Sequence, residues 1–95
     1  MFILSLNYIK PLEVVEQFLP GHRQFLDTYY QQKKFLLSGP KEPRTGGVIL
    51  CHCEDKEAVL NIISQDPFYI NQIAEYDITE FYPVKTSEDL TQYLK

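Results

Sequence analysis

The sequence predicts an α+β fold, a ferredoxin-like βαββαβ domain whose four-stranded antiparallel sheet carries its helices on one face. Three observations support it: segments with a two-residue apolar period, segments with a helical apolar period, and turn residues that separate them in this order. The 95 residues suffice for one domain. Because so short a chain hides only about 60% of its unfolded surface, we expect a partner subunit to add to its stability.

The first strand is predicted over residues 2–8, where strongly apolar residues recur at every second position. The other face of this strand is mixed and carries Ser5 and Asn7. Both helices of a ferredoxin-like domain cover the same face of the sheet. A partly apolar face left in water would be an interaction surface, so we expect a second copy of the chain to cover it in a homodimer.

The first helical region contains two prolines. Pro11 predicts the start of a short helical piece that runs to about Phe18. Pro20 has no backbone N–H to donate, so we expect it to restart or kink the helix. A longer helix with apolar residues at helical spacing follows and should fade near Lys34. This assignment places His22 in the first turn of that helix, on its apolar stripe.

Two strands are predicted in the middle of the chain. Residues 35–38 are apolar and end at Gly39-Pro40, a polar loop spans residues 41–45, and the next strand covers residues 47–53. Because the connection is short, we expect the two strands to be antiparallel.

The second half of the domain repeats the pattern of helix and strand. Asp55 is a suitable cap for a second helix, and Asp66-Pro67 marks its end. A short helical turn should run from Pro67 to about Ile73. The last strand is predicted near residues 76–82.

The C-terminal residues are predicted to form a separate helical segment. We expect residues 1–85 to form the domain and residues 86–95 to form a helical tail that packs on its own domain or on a partner. Thr86 and Asp89 stand at the spacing of a capping box, although Asp replaces the usual Glu or Gln.

Charge and hydropathy exclude several classes of partner. Thirteen acidic and nine basic side chains leave a net charge of -4, so no summed positive field would hold nucleic acid or an anionic membrane. No apolar run is long enough to span a bilayer. The apolar N-terminus lacks the basic start of a signal peptide. We expect a cytoplasmic protein.

The two cysteines form the tripeptide Cys51-His52-Cys53, which could suggest a metal or redox site. On a strand, the two thiols would point to one face and the imidazole to the other, so the three side chains could not converge on one ion. We therefore predict no metal site, and we expect apolar, reduced thiols in a reducing compartment.

His22 and Asp66 are the candidate catalytic residues. Imidazole titrates near neutral pH, which suits a general acid or base, and a nearby carboxylate would orient the ring. Asp66 lies in the connection to the last strand, from which it could reach back to the first helix. Structural roles stay open for both: His22 as a histidine at the edge of the core, and Asp66 as a helix cap.

Three further residues are predicted to contact a substrate. Arg23 is adjacent to His22 and suits an anionic group. Ser38 offers a hydroxyl at the end of a strand. Asn7 lies on the mixed face of the first strand.

Three segments between residue 1 and about residue 83 stand in a definite order: Pro20-Gly21-His22, Phe35-Leu36-Leu37-Ser38-Gly39-Pro40 and Asp66-Pro67-Phe68-Tyr69. In their order and spacing the chain resembles the YCII-related (YciI-like) family. The resemblance implies a ferredoxin-like domain that pairs as a dimeric α/β barrel, with a site around His22 and Asp66 and with Ser38 nearby. It also implies cofactor-free acid–base chemistry, such as loss of halide from a substituted hydroquinone.

Two functions of different classes follow from these features. The first is a cofactor-free lyase, isomerase or hydrolase in which His22 and Asp66 act on a small molecule, for example an aromatic one. The alternative is a non-catalytic module that binds a small molecule or a protein, with both side chains holding helix starts in place. A pocket that opens beside His22 would favour the enzyme.

Overall fold

The computed structural model describes residues 1–94 and contains the predicted antiparallel sheet. Its strands are β1 (Phe2–Tyr8), β2 (Phe35–Pro40), β3 (Gly46–Cys51) and β4 (Ala74–Glu80). They lie in the order β2-β3-β1-β4, and all neighbours are antiparallel. With helices between the strands, this order confirms the α+β, ferredoxin-like fold class.

The central strand β1 shows why the sheet has one buried face. Leu4 and Leu6 are at most 2% exposed, whereas Asn7 lies in water. Leu4 pairs with Ile49 on one side and with Ile78 on the other, so apolar residues of three strands share the buried face.

The first helix, α1, spans Leu12–Gln31 without interruption, so the predicted restart of the helix at Pro20 is wrong. Pro20 is exposed, and the backbone carbonyl that lacks its usual donor can bond to water instead. Buried residues lie on both sides of Pro20, from Val15 to Tyr29, and anchor both halves of α1 to the sheet. His22 consequently lies in the middle of α1 and not in a first turn.

Two shorter helices connect β3 to β4. They are α2 (Lys56–Ile63) and α3 (Pro67–Ile70). The predicted cap of α2 is confirmed, because the backbone N–H of Ala58 donates to the Asp55 carboxylate at 2.9 Å. The helical turn predicted from Pro67 to about Ile73 is shorter than expected, since β4 already begins at Ala74.

The tail forms a 3-10 helix over Glu88–Tyr93, with Ser87 at its N-cap. In the described part of the tail no side chain caps this helix, so the capping box predicted for Thr86 and Asp89 does not form. Lys95, the last residue of the predicted tail, lies outside the described residues.

The core lies between the sheet and the helices. It combines the inner face of all four strands with the apolar stripes of α1 and α2 and with the aromatic residue of α3. Its buried members include Phe2, Leu4, Leu6, Val15, Phe25, Tyr29, Phe35, Ile49, Cys51, Val59, Ile62, Ile63 and Phe68.

The opposite face of the sheet remains partly apolar and open to water. Ile3, Leu37 and Val48 are 37%, 59% and 36% exposed. Ile3 is in register with Leu50, which pairs with Leu37, so apolar side chains cross three adjacent strands. Among residues 1–94, none of the helices is both long and apolar enough to cross a membrane.

Candidate functional site

The site is built around a hydrogen-bonded pair of a histidine and a carboxylate, between α1 and the start of α3. The Nδ1–H of His22 donates to Oδ1 of Asp66 at 2.8 Å, although 44 residues separate the two in sequence. His22 is 9% exposed and Asp66 is fully buried. A buried carboxylate that holds one ring nitrogen fixes both the tautomer and the orientation of the imidazole.

Asp66 is held in place by two further donors. The backbone N–H of Phe68 donates to Oδ1 at 2.9 Å, which makes Asp66 the N-cap of α3. The hydroxyl of Tyr76 on β4 donates to Oδ2. Capping and pairing with His22 therefore occur together, because the two carboxylate oxygens accept three hydrogen bonds.

Tyr76 stays protonated in this environment. Burial, and then the negative charge and hydrogen bond of Asp66, raise the pKa of Tyr76 far above its usual value. Its phenol is therefore a fixed donor that connects the sheet to the carboxylate.

Close packing of α1 against α3 brings the pair together. A Cβ atom on Gly21 would lie 3.2 Å from Cγ of Pro67, so the absence of a side chain at Gly21 lets α1 pack closely on the proline ring. The ring of Phe68 stacks on the ring of His22, with centroids 4.0 Å apart and planes inclined by 5°. Residues next to the pair thus set both its spacing and the plane of the imidazole.

His22 lines a cavity of about 390 Å³ between α1 and the strands β1, β2 and β3. Nδ1 is occupied by Asp66, so Nε2 is the ring nitrogen left for chemistry. Apolar walls and a few polar groups surround the cavity, a composition typical of small-molecule sites. Its apolar residues are Leu6, Leu19, Leu26, Pro40, Val48, Ile49 and Phe68.

Two of the predicted substrate-binding residues line this cavity, and the third does not. Arg23 follows His22 on α1, and Ser38 enters from β2. The Ser38 hydroxyl is 2.5 Å from the hydroxyl of Tyr30, so a neighbour on α1 orients it. Asn7 lies on the opposite face of the sheet, where its Oδ1 accepts a hydrogen bond from Lys41 at 2.8 Å.

Sequence reasoning missed two residues of the site. It assigned no role to Arg44, which lines the cavity and donates to Glu16 on α1 at 2.9 Å. Hydrogen bonds to Glu16 and then to Tyr8 raise the pKa of Arg44. Sequence reasoning assigned no role to Tyr76 either, although its hydroxyl donates to Asp66. The local sequence around these residues carried no signal of contacts made across the fold.

Comparison with known proteins places the chain in a family. A family model of the YCII-related domain matches residues 1–82. The chain belongs to this family. No curated protein sequence matches it. The matched range includes all four strands of this YCII-related domain and ends before the 3-10 helix of the tail.

Solved structures of other proteins share the fold of this YCII-related domain. One of them is the 5-chloro-2-hydroxyhydroquinone dehydrochlorinase (TftG) from Burkholderia phenoliruptrix AC1100, in complex with 2,5-dihydroxybenzoquinone. The TM-score is 0.70 at 18% sequence identity, and the match covers 85% of this chain and 93% of that chain. At this identity the likeness establishes the fold.

The His22 and Asp66 side chains of this YCII-related domain have the geometry for proton transfer at one atom, Nε2 of His22. A neutral imidazole with Nδ1–H held by a carboxylate presents a lone pair at Nε2, and the same carboxylate stabilises the imidazolium once that lone pair takes a proton. Within residues 1–94, no group of three or more His, Cys, Asp or Glu side chains is placed to hold a metal ion.

Proposed function

We propose that this YCII-related domain is an acid–base enzyme in which His22 is the general base and Asp66 orients it. The observation that carries the proposal is the 2.8 Å contact between Nδ1 and the buried carboxylate, made by a ring that lines an open cavity. A histidine with a purely structural role would not need to face such a cavity.

The chemistry follows from which nitrogen is free. Nε2 accepts a proton from a hydroxyl or an activated carbon of the substrate, and Asp66 stabilises the resulting imidazolium. On a halogenated hydroquinone, one hydroxyl first loses its proton and the ring carbon that bears the halogen takes one, which gives the keto tautomer. Nε2 then removes the proton of the second hydroxyl, its oxygen forms a second carbonyl, the ring double bond shifts to the halogenated carbon, and halide leaves with its bonding electrons to give a quinone. The imidazolium then returns its proton to solvent or product. Proton transfer of this kind contributes roughly 10²- to 10⁴-fold to a rate.

The size and lining of the cavity suit a small, hydroxylated aromatic substrate. Its volume of about 390 Å³ and its apolar walls suit one ring. The Ser38 hydroxyl and the Arg23 and Arg44 guanidinium groups offer hydrogen-bond donors for ring oxygens or for a phenolate. The dehydrochlorinase with the same fold is named for such a substrate and was solved with a dihydroxybenzoquinone.

The proposal includes the assembly and location expected from the sequence. The open sheet face with Ile3, Leu37 and Val48 suits a second copy of the chain in a dimeric α/β barrel. Cys51 and Cys53 carry free thiols, which suits the cytoplasm. Residues 86–95 are proposed as a tail separate from the domain of residues 1–85.

The test uses 2,5-dihydroxybenzoquinone as a ligand and 5-chloro-2-hydroxyhydroquinone as a substrate. Binding is measured by the absorbance change of the quinone, and turnover by release of chloride. We expect the unmodified protein to release chloride, and His22→Ala to lose about 10²-fold or more in kcat. Asp66→Asn should lose kcat too, because the amide can present a donor to Nδ1 and favour the wrong tautomer.

His52→Ala is the matched control, because it removes the other imidazole from an exposed position outside this cavity. It should leave kcat unchanged. Quinone binding without chloride release in the unmodified protein, or equal rates in the protein and His22→Ala, would overturn the proposal and favour a binding module.

A further inference from the structure

Two thiols lie in contact at the end of β3, away from the site described above. Cys51 is the last residue of the strand, and Cys53 follows two positions later. Their sulfur atoms are 3.5 Å apart, and neither is in a disulfide. The predicted strand extended to Cys53, but β3 ends at Cys51, and the segment that follows carries the second sulfur back against the first.

The two thiols differ in access. Cys51 is fully buried in the core, and Cys53 is 8% exposed. Cys53 also lines a second cavity of about 520 Å³, together with Lys34, His52 and Tyr93. A small oxidant in this cavity would reach Cys53 first, and Cys51 only through Cys53.

The two thiols also differ in acidity. The hydrogen bond with Cys51, with a further contribution from the Lys34 charge, lowers the pKa of Cys53 to about 7, although burial and the charges of Glu54 and Asp55 act against it. The hydrogen bond with Cys53, and then burial, raise the pKa of Cys51. Cys53, which lines the cavity, is therefore the better placed attacking thiol, and the fully buried Cys51 is the better placed resolving thiol.

We propose that Cys51 and Cys53 are a redox-active dithiol, which a hydroperoxide closes to an intramolecular disulfide. In the first step the Cys53 thiolate attacks the terminal oxygen of the peroxide and becomes a sulfenic acid, the O–O bond breaks, and an alkoxide leaves, or hydroxide where the oxidant is hydrogen peroxide. In the second step Cys51 gives up its proton and attacks the Cys53 sulfur, the S–S bond forms, and water leaves. The thiols lose two electrons in total, and the peroxide gains them. A cellular thiol reverses the reaction by exchange.

The neighbourhood supports closure of the pair. The sulfur atoms must approach by about 1.5 Å to reach bonding distance. Cys53 belongs to the connection between β3 and α2, where His52, Glu54 and Asp55 are exposed, so the second sulfur can move without displacing a strand. The two cavities share no lining residue, which makes this inference independent of the proposed acid–base function.

The test treats the reduced, folded protein with hydrogen peroxide, blocks remaining thiols with N-ethylmaleimide in denaturant, and measures the intact mass. We expect the unmodified protein to lose about 2 Da and to take up no maleimide, because two thiol hydrogens leave. Treatment with a phosphine should restore two sites of alkylation. Without peroxide, both thiols should be alkylated after unfolding.

Two variants separate the roles of the sulfurs. In Cys51→Ser the sulfenic acid has no resolving thiol, so Cys53 should form an adduct with dimedone. In Cys53→Ser, the buried Cys51 should remain a thiol at the same peroxide concentration. The inference fails if the unmodified protein keeps two alkylatable thiols under conditions that give the Cys51→Ser adduct. It also fails if neither the unmodified protein nor Cys51→Ser reacts with peroxide. The unmodified protein alone establishes that result, so it holds even if the variant does not fold.

Discussion

Tyr76 connects the sheet to the reacting pair. Its hydroxyl donates to Asp66, which in turn accepts the Nδ1 proton of His22, so three residues from β4, α3 and α1 form one chain of hydrogen bonds. Removing one member leaves a buried carboxylate short of a donor, which costs about 1–3 kcal/mol. The position of the imidazole thus depends on a residue outside the cavity.

We expect Tyr76→Phe to lower the free energy of unfolding by about 1–3 kcal/mol at neutral pH. The variant should also change the pH dependence. The pKa of Tyr76 is raised in the folded state above the 10.0 of an ordinary tyrosine. The unfolded chain therefore releases this proton above pH 10 while the folded chain keeps it, so the stability of the unmodified protein falls there by up to about 1.4 kcal/mol per pH unit.

Urea unfolding at several pH values between 8 and 11 measures both effects. In Tyr76→Phe the free energy of unfolding should fall less steeply above pH 10, because the variant has no phenol at this position to titrate. Tyr69→Phe is the matched control, since Tyr69 is 53% exposed, and it should follow the unmodified protein. Parallel stability curves for the protein and Tyr76→Phe above pH 10 would contradict the prediction.

The sequence indicated part of this site and could not indicate the rest. His22 was marked by its apolar stripe and Asp66 by its place before Pro67, and the structure places the two 2.8 Å apart. Their catalytic roles stay a proposal. Contacts of Tyr76 and Arg44 depend on strand register and loop placement, which a local pattern does not determine. Tyr76 reaches its position because β4 pairs with β1 in one particular register.

Among the elements, α1 shows where local rules fail. Proline in a helix interior costs about 3 kcal/mol or more, which made a restart or a kink at Pro20 the expected result. The cost is smaller when the unpaired carbonyl faces water, and buried residues on both halves of α1, such as Val15 and Phe25, favour one continuous helix. The cap at Asp55 depends only on adjacent residues and was predicted correctly.

Strand β3 contains a glycine at a position where the sheet leaves no space for a side chain. Gly46 is buried and pairs with Asn7 of β1. A Cβ atom at Gly46 would overlap the carbonyl oxygen of Leu6, a backbone atom that cannot rotate away. On β2, by contrast, a Cβ atom at Gly39 would meet nothing within 4 Å.

We expect Gly46→Ala to lower the free energy of unfolding by about 3 kcal/mol or more, because β1 and β3 must separate locally to admit the methyl group. Gly39→Ala is the matched control and should stay within about 0.5 kcal/mol of the unmodified protein. Urea unfolding at pH 7 compares the two variants. Equal stabilities for both would show that β3 can shift at Gly46 without cost.

At the scale of the whole molecule, the outer face of the sheet is a continuous apolar surface exposed to water. Leu37, Leu50 and Ile3 lie side by side across β2, β3 and β1, while both longer helices cover the other face. Covering apolar surface stabilises by about 25 cal/mol per Å². A domain of this size has few other sources of stability, so a second copy on this face would contribute substantially.

We expect the protein to have a mass in solution of twice the 11.2 kDa of one chain. Leu37→Lys should shift it to the mass of one chain, because each chain would have to bury an unpaired ammonium group in the apolar interface. Leu37 is 59% exposed within one chain, so the substitution should leave the fold of that chain intact. Light scattering after size exclusion measures the mass, and far-UV circular dichroism checks the fold.

Leu60→Lys is the matched control, since Leu60 is 49% exposed on α2, away from the open sheet face. It introduces the same charge in place of the same side chain and should keep the mass of two chains. If Leu37→Lys kept that mass as well, or if the unmodified protein were a monomer at micromolar concentration, the open face would not be the dimer interface. If both variants became monomers, the effect of Leu37→Lys would come from added charge, and the interface would have to be sought elsewhere.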